Sequence, residues 1–245
     1  MIKVLFLTMY SGEGDFEQSQ ESAKKQEGIK ADFFTVKNLS MEDAHVAIYS
    51  HWNKHKDEYD MFVKLDADMV FDNTEKVIQV WNNIKDTDIA CLIVPIHDYL
   101  RWKNVPGMVF GTKQCSFNID KVKAKAQFDT GVYVIEDGYK KLESNRLAPS
   151  GLHGHFSLPI QAFSQGVKRR IRGQWDIHRE VTQLFISNND VLRFMFLVGW
   201  ELGDNKLKDD YDYTNALFNK CFNEAEKLIA EGKNLNDIVD TIKKL

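Results

Sequence analysis

Two carboxylates one residue apart, Asp66 and Asp68, follow the apolar run Met61 to Leu65. That run reads as a buried strand. Its carboxyl end is where open α/β sheets place their ligand crevice. In extended backbone, alternate side chains point the same way, so the pair can reach one cation directly or through water. Hard divalent cations take oxygen ligands and commonly bridge carboxylates to a substrate's phosphates. A bare Asp-x-Asp also describes a solvated turn. The strong strand before it, and Asn73-Thr74-Glu75 opening a helical pattern after it, favour a site. An EF-hand is excluded, because the sixth position counted from Asp66 is Phe71 and the twelfth is Val77.

Other residues with chemistry lie near strand ends. Lys64 sits in the same run and needs a partner if buried, since an unpaired buried charge is costly. The choice is a phosphate, Asp60 or another acid. Asp98 follows a second apolar stretch, and it can either deprotonate a hydroxyl or cap a turn. His153 and His155 lie in a glycine-rich stretch; the alternative to a ligand role is a surface histidine. Lys168, Arg169, Arg170 and Arg172 form a basic cluster, either a solvated face or a surface for diphosphate or an anionic membrane. Tyr10 can stack on a base or cap the sheet, and Glu13 can bind ribose hydroxyls or stay a solvated loop acid.

The elements that must position these groups alternate. Strands are expected at Ile2 to Leu7, Ala31 to Val36, Met61 to Leu65 and Ile89 to Ile96. Helices are expected at Phe16 to Gln26, Met41 to Lys56 and Thr74 to Ile84. Asp15 is the expected cap of the first helix and Gly28 its stop. This is the rhythm of an α/β domain with a mostly parallel sheet. Residues 8–15 and 97–102 read as polar loops, Gly107 to Thr112 and Asp129 to Ile135 as strands, and Asp120 to Lys125 as a lysine-rich connection. Leu147 to Pro159 reads as an irregular loop. Helical pattern then runs over Ile160 to Arg172, Asp176 to Phe185, Asp190 to Leu202, Tyr213 to Glu231 and Leu235 to Lys243. Phe185, Phe194, Phe196 and Trp200 are expected in its core. There is no internal repeat and no low-complexity stretch.

At 245 residues the chain can bury a large core, as one α/β domain or two smaller ones. A net charge of −4 argues against a general nucleic-acid binder. Its three cysteines, Cys91, Cys115 and Cys221, have no metal-type spacing and suggest reduced thiols. Cys91 is expected in the core. The first residues read as a strand rather than a secretory signal, and no apolar run is long enough to span a bilayer. The expectation is a cytoplasmic protein, with the inner membrane face as a second location.

The layout resembles a nucleotide-sugar-dependent glycosyltransferase of the GT-A fold, near the large family 2 group. Three stretches carry the likeness: Leu7 to Glu13 with Asp15-Phe16-Glu17 and Gln26; Tyr59 to Met69; and His153-Gly154-His155 with Pro159 to Phe163, Gly166 and Arg169. The resemblance implies a Rossmann-like, mostly parallel mixed sheet flanked by helices. It implies a catalytic domain over 1–172, with 173–245 a helical C-terminal extension. It implies a nucleoside-diphosphate-sugar donor, with Thr8, Met9, Tyr10 and Glu13 at base and ribose. Lys64, Asp66, Ala67 and Asp68 fall at the diphosphate. Mn2+ or Mg2+ would be held by Asp66, Asp68 and His155. Asp98 is the candidate catalytic base. The acceptor would be a carbohydrate or a lipid-linked sugar, with peripheral membrane contact in the latter case and no nucleic-acid partner. The chain departs from the family pattern in lacking a clear Glu-Asp motif in an acceptor loop; Glu136-Asp137 falls at a strand end instead.

Two rival readings stand. Leu65 to Val70 also resembles the first motif of a haloacid dehalogenase-type phosphatase, with Asp66 as nucleophile and Gly203-Asp204 and Asp209 as a late acidic element. Against it, more than one α/β unit precedes the motif, and Val198 to Leu202 reads as a helix end. The other rival is a non-catalytic nucleotide-sugar-binding or metal-binding module.

Overall fold

The computed structural model describes residues 1–13, 15–123, 131–143, 151–153, 159–204, 206–207 and 215–245. Two compact units emerge. One comprises Met1–Asp98 with Lys103–His153; the other comprises Tyr99–Trp102 with Gly154–Leu245. The division falls near residue 153, not at the expected 172, so Pro159–Ile171 belongs with the helical unit.

In chain order the first unit holds β1 (Ile2–Tyr10), α1 (Phe16–Lys24), β2 (Ile29–Lys37), α2 (Met41–His55), β3 (Met61–Lys64) and β4 (Met69–Phe71). After these come α3 (Lys76–Ile84), β5 (Ile89–Asp98), β6 (Lys103–Thr112), β7 (Cys115–Phe117) and α4 (Ile119–Lys123). β8 (Tyr133–Ile135), β9 (Lys140–Glu143) and β10 (Gly151–His153) complete it. The main sheet has the order β2-β1-β3-β6-β5-β10-β4, with β9 beside the first half of β5. β1 runs parallel to β2 and β3, and β5 parallel to β9 and β10. β6 is antiparallel to β3 and β5, and β4 to β10. The sheet is therefore mixed and mainly parallel. The carboxyl ends of β1, β3, β5 and β10 share one edge.

The apolar runs explain the strands. Val4, Leu5, Phe6 and Leu7 are all essentially inaccessible, as a parallel strand covered on both faces requires. Alternation sends Val4 and Phe6 to one core with Val77, Val80 and Ile84 of α3. Leu5 and Leu7 go to the other, with Ile48, Tyr49 and Trp52 of α2. Cys91 and Cys115 are both buried there. α2 starts at Ser40, whose hydroxyl accepts the Asp43 amide. Only four residues join β5 to β6, a connection that permits antiparallel neighbours but no parallel crossover.

The second unit packs α5 (Pro159–Ile171), α6 (Trp175–Asn188), α7 (Val191–Leu202), α8 (Ala216–Ala230) and α9 (Leu235–Lys243) around one apolar core. Helices α5 and α7 touch backbone to backbone. A Cβ on Gly166 would fall 2.0 Å from the Phe196 carbonyl oxygen, and one on Gly199 would fall 2.1 Å from that of Phe163. Phe196 and Trp200 are core residues, as expected; Phe185 and Phe194 are half-buried and stack on each other at 5.2 Å. Buried Arg193 binds the excursion 99–102. Its Nε donates to the Leu100 carbonyl at 3.2 Å and its Nη2 to that of Tyr99 at 2.8 Å, while Nη1 pairs with Asp190.

Several expectations are corrected. Thr8, Met9 and Tyr10 are strand residues, because β1 keeps its pairing with β2 through Tyr10. His97 and Asp98 end β5 for the same reason, being paired to Asn104 and Lys103 of β6. Residues 119–123 form a short helix. Gly151–His153, read as irregular loop, is a strand held between β5 and β4. Asp15 precedes α1 but makes no side-chain capping bond. Among the described residues, no helix is long and apolar enough to cross a membrane.

Candidate active site

Lys64 is the last residue of β3, and the chain then turns sharply. The Met69 amide donates to the Asp66 carbonyl at 3.0 Å. The carboxylates therefore sit on a tight turn between β3 and β4, not on extended backbone, and simple alternation does not aim them. The Ser19 hydroxyl of α1 donates to the same Asp66 carbonyl at 3.3 Å. Ala67 is buried at the tip.

Lys64 is buried, with its ammonium 3.1 Å from Asp66 Oδ1. The expected alternative, Asp60, instead accepts the Lys3 amide at 2.8 Å. The Lys64–Asp66 contact has the distance of an ion pair without the angles of a hydrogen bond. Asp66 Oδ1 is buried and makes no hydrogen bond among the described residues.

Three strand ends meet at His153. β10 lies beside β5 in parallel register, His153 against Asp98, and beside β4 in antiparallel register, His153 against Met69. The imidazole consequently bridges two carboxylates. Its Nδ1 is 2.9 Å from Asp98 Oδ2, and its Nε2 is 3.2 Å from Asp68 Oδ2. Asp98 is buried at 5 % exposure. Burial alone would lower the imidazole's pKa, but the charges and hydrogen bonds of Asp68 and Asp98 outweigh it and hold the pKa well above 6.5. The raised pKa favours an imidazolium that donates from both nitrogens and neutralises one of the two carboxylate charges.

Gly151 makes this arrangement possible. A Cβ there would lie 2.0 Å from the Val70 carbonyl oxygen, so β10 can approach β4 this closely only without a side chain.

The remaining expected site residues divide. Thr8 is buried and its hydroxyl accepts from Gln20 at 3.2 Å. The Tyr10 ring packs on Phe16 at 4.5 Å, with the Lys37 ammonium 5.7 Å from the Tyr10 ring centre. Met9 is half-buried on the other face of β1, against the core that holds Leu5 and Leu7. Glu13 holds a local turn, accepting the Ser11 amide at 2.7 Å and the Ser11 hydroxyl at 2.8 Å. His155 lies outside the described residues. The structure thus brings together Asp68, Asp98 and His153, and separately pairs Lys64 with Asp66 just before them in the chain. The sequence reading preferred the other histidine of the His-Gly-His stretch. The signal for His153 was the strand around it, which is only three residues long.

An open cleft of about 920 Å3 runs between α1 and residues 70–74, with Phe16, Gln20, Phe71 and Asn73 among its walls. Asp66, Asp68 and His153 are not among them. Of the rival phosphatase's late acidic element, Asp204 follows helix α7 and pairs with Arg170, and Asp209 lies outside the described residues.

No family model matches the chain, and no curated protein does. Among solved structures, the crystal structure of a glycosyltransferase involved in the glycosylation of the major capsid of PBCV-1 is similar at a TM-score of 0.33 and 15% identity. That similarity spans 51% of this chain and 65% of the other, just under two thirds of its length.

Proposed function

We propose that this protein is a glycosyltransferase that moves a sugar from a nucleoside-diphosphate-sugar donor to an acceptor hydroxyl. The observation that carries the reading is the meeting of Asp68, His153 and Asp98 at the carboxyl edge of a mainly parallel sheet, with Asp66 on the same turn as Asp68. That edge is where α/β sheets bind ligands.

The residues fit a divalent cation in part. Among the described residues Asp66 Oδ1 makes no hydrogen bond but faces the Lys64 ammonium at 3.1 Å, so a cation would share that oxygen with Lys64 or use Oδ2, and Asp68 lies on the same turn. The described residues contain no ready-made set of three or more His, Cys, Asp or Glu ligands. Mn2+ or Mg2+ would be held by Asp66 and Asp68, with His155 as the imidazole, or His153 once its Nε2 has given up its proton, and would stabilise charge on the departing diphosphate.

The chain's own groups do the rest. Lys64 holds Asp66 from inside the sheet and adds positive charge on the side where phosphate would lie. Asp98 fixes the His153 ring by accepting from Nδ1, and so acts first as a positioning residue. As the base for an acceptor hydroxyl it would act only after releasing His153.

Calorimetry with Mn2+ and a panel of nucleoside diphosphates tests the reading. One nucleotide should bind in a Mn2+-dependent way, and Asp68→Asn should fold normally yet bind it at least tenfold more weakly. Equal affinity in the variant would remove the assignment. The phosphatase alternative makes the opposite prediction: Mg2+-dependent turnover of an aryl phosphate, lost in Asp66→Asn.

A further inference from the structure

The corner between α5 and α6 exposes two large apolar side chains beside a run of basic residues. Ile171 and Trp175 are 39% and 52% exposed, and Arg172, Gly173 and Asp176 between and beside them face solvent. Large apolar side chains rarely cluster on a soluble surface without a partner.

The corner is rigid. Gly173 turns the chain at φ +64, and nothing lies within 4 Å of where its Cβ would be. Arg169 Nη1 donates to Gln174 Oε1 at 2.9 Å. The Arg170 guanidinium stacks 4.5 Å from the centre of the Trp175 ring, and Trp175 meets Trp200 edge-on at 5.1 Å. The half-exposed indole is therefore held in place.

The charge is one-sided. Residues 168–180 carry five cations, Lys168, Arg169, Arg170, Arg172 and Arg179, against two carboxylates, Asp176 and Glu180, of which Glu180 pairs with Arg101, in a chain whose net charge is −4. Asp204 offsets Arg170. Arg179 lies one helical turn beyond Trp175, on the same face of α6.

We infer that this corner docks on an anionic lipid surface. Trp175 and Ile171 enter the headgroup boundary, and Arg172 and Arg179 pair with lipid phosphates. An exposed tryptophan stacked on one arginine, in a stretch that carries further arginines and an exposed isoleucine, is suited to that boundary, where one end of each side chain is apolar and the other wet. The complementary charge selects anionic lipid over a neutral bilayer. The inference rests on the helical unit alone and does not depend on the transferase reading.

Flotation with phosphatidylcholine vesicles, and with vesicles also containing phosphatidylglycerol, tests it without any turnover. The protein should float only with the anionic vesicles and should be released by salt. Each basic residue near such a surface is worth roughly fivefold in affinity, so Arg172→Gln with Arg179→Gln should weaken binding about 25-fold. Both arginines are exposed, so that variant keeps its fold. Trp175→Ala, with folding checked by thermal unfolding, should weaken binding at unchanged charge. Failure to float with anionic vesicles, or an undiminished affinity in the double variant, overturns the proposal. So does equal binding to soluble heparin with no loss in Trp175→Ala, which would make the corner a plain polyanion surface.

Discussion

Replacing Gly151 by alanine tests how the fold delivers the imidazole. The new Cβ would stand 2.0 Å from the Val70 carbonyl oxygen and 3.0 Å from the Phe71 Cα. The first contact must open to at least 3.4 Å to become ordinary van der Waals contact. Both obstacles are backbone, so no side chain can swing aside. Either β10 leaves β4 or β4 shifts, by an ångström or more. His153 is two residues along the same three-residue strand and cannot stay in place on both Asp68 and Asp98. Overpacking of this kind costs about 1–3 kcal/mol, and a 1 Å misplacement at a reacting centre costs on the order of 100-fold in rate. At roughly 2–4 °C per kcal/mol for a chain of this size, the melting temperature should fall by several degrees. Thermal unfolding gives the first number. Calorimetry of Mn2+–nucleotide binding reads the displaced site as affinity rather than rate, and that affinity should fall at least tenfold. An alanine variant as stable as the parent, with unchanged nucleotide affinity, would refute the argument that β10 positions the site.

Three further outcomes follow from the geometry. Gly199→Ala should destabilise the helical unit by about 1–3 kcal/mol or more despite alanine's advantage of about 1 kcal/mol in helix propensity, because the Phe163 carbonyl blocks its Cβ; denaturant unfolding followed by circular dichroism reads this. Arg193→Ala strips donors from the Tyr99 and Leu100 carbonyls and leaves Asp190 without its cation, for a loss of about 3–5 kcal/mol; Arg193→Lys should not restore it, since one ammonium cannot reproduce the fork. In the metal-free protein, His153 has a folded pKa raised well above its ordinary 6.5, so its contribution is fully present below pH 6.5 and is lost as pH rises through the folded value. Melting temperatures across that window should fall more steeply for the parent than for His153→Gln, and parallel curves would contradict the bridge.

The α/β rhythm was legible in the sequence because buried strands and amphipathic helices leave a local signature. Val4 to Leu7 is a continuous apolar run and Met61 to Leu65 is one except for Lys64, and a run of that kind has to be covered on both faces wherever it lies. The acidic pair at the end of one such run was legible for the same reason. The partner of that pair was not. β10 is three residues long, begins with glycine, and owes its existence to the two strands it lies between. No periodicity can be read from three residues, so no local pattern singled out His153, and the resemblance pointed to His155. The buried Lys64 showed the same limit: its sequence required an acid nearby, but only the turn after β3 decided that the acid was Asp66. The Gly166–Gly199 contact followed that rule too. Each glycine is unremarkable in its own helix, and only the crossing of α5 and α7 turns the pair into a requirement. Local sequence determines which segments must be buried. Which residues then face one another depends on strand register and helix crossing, and those are properties of the assembled chain.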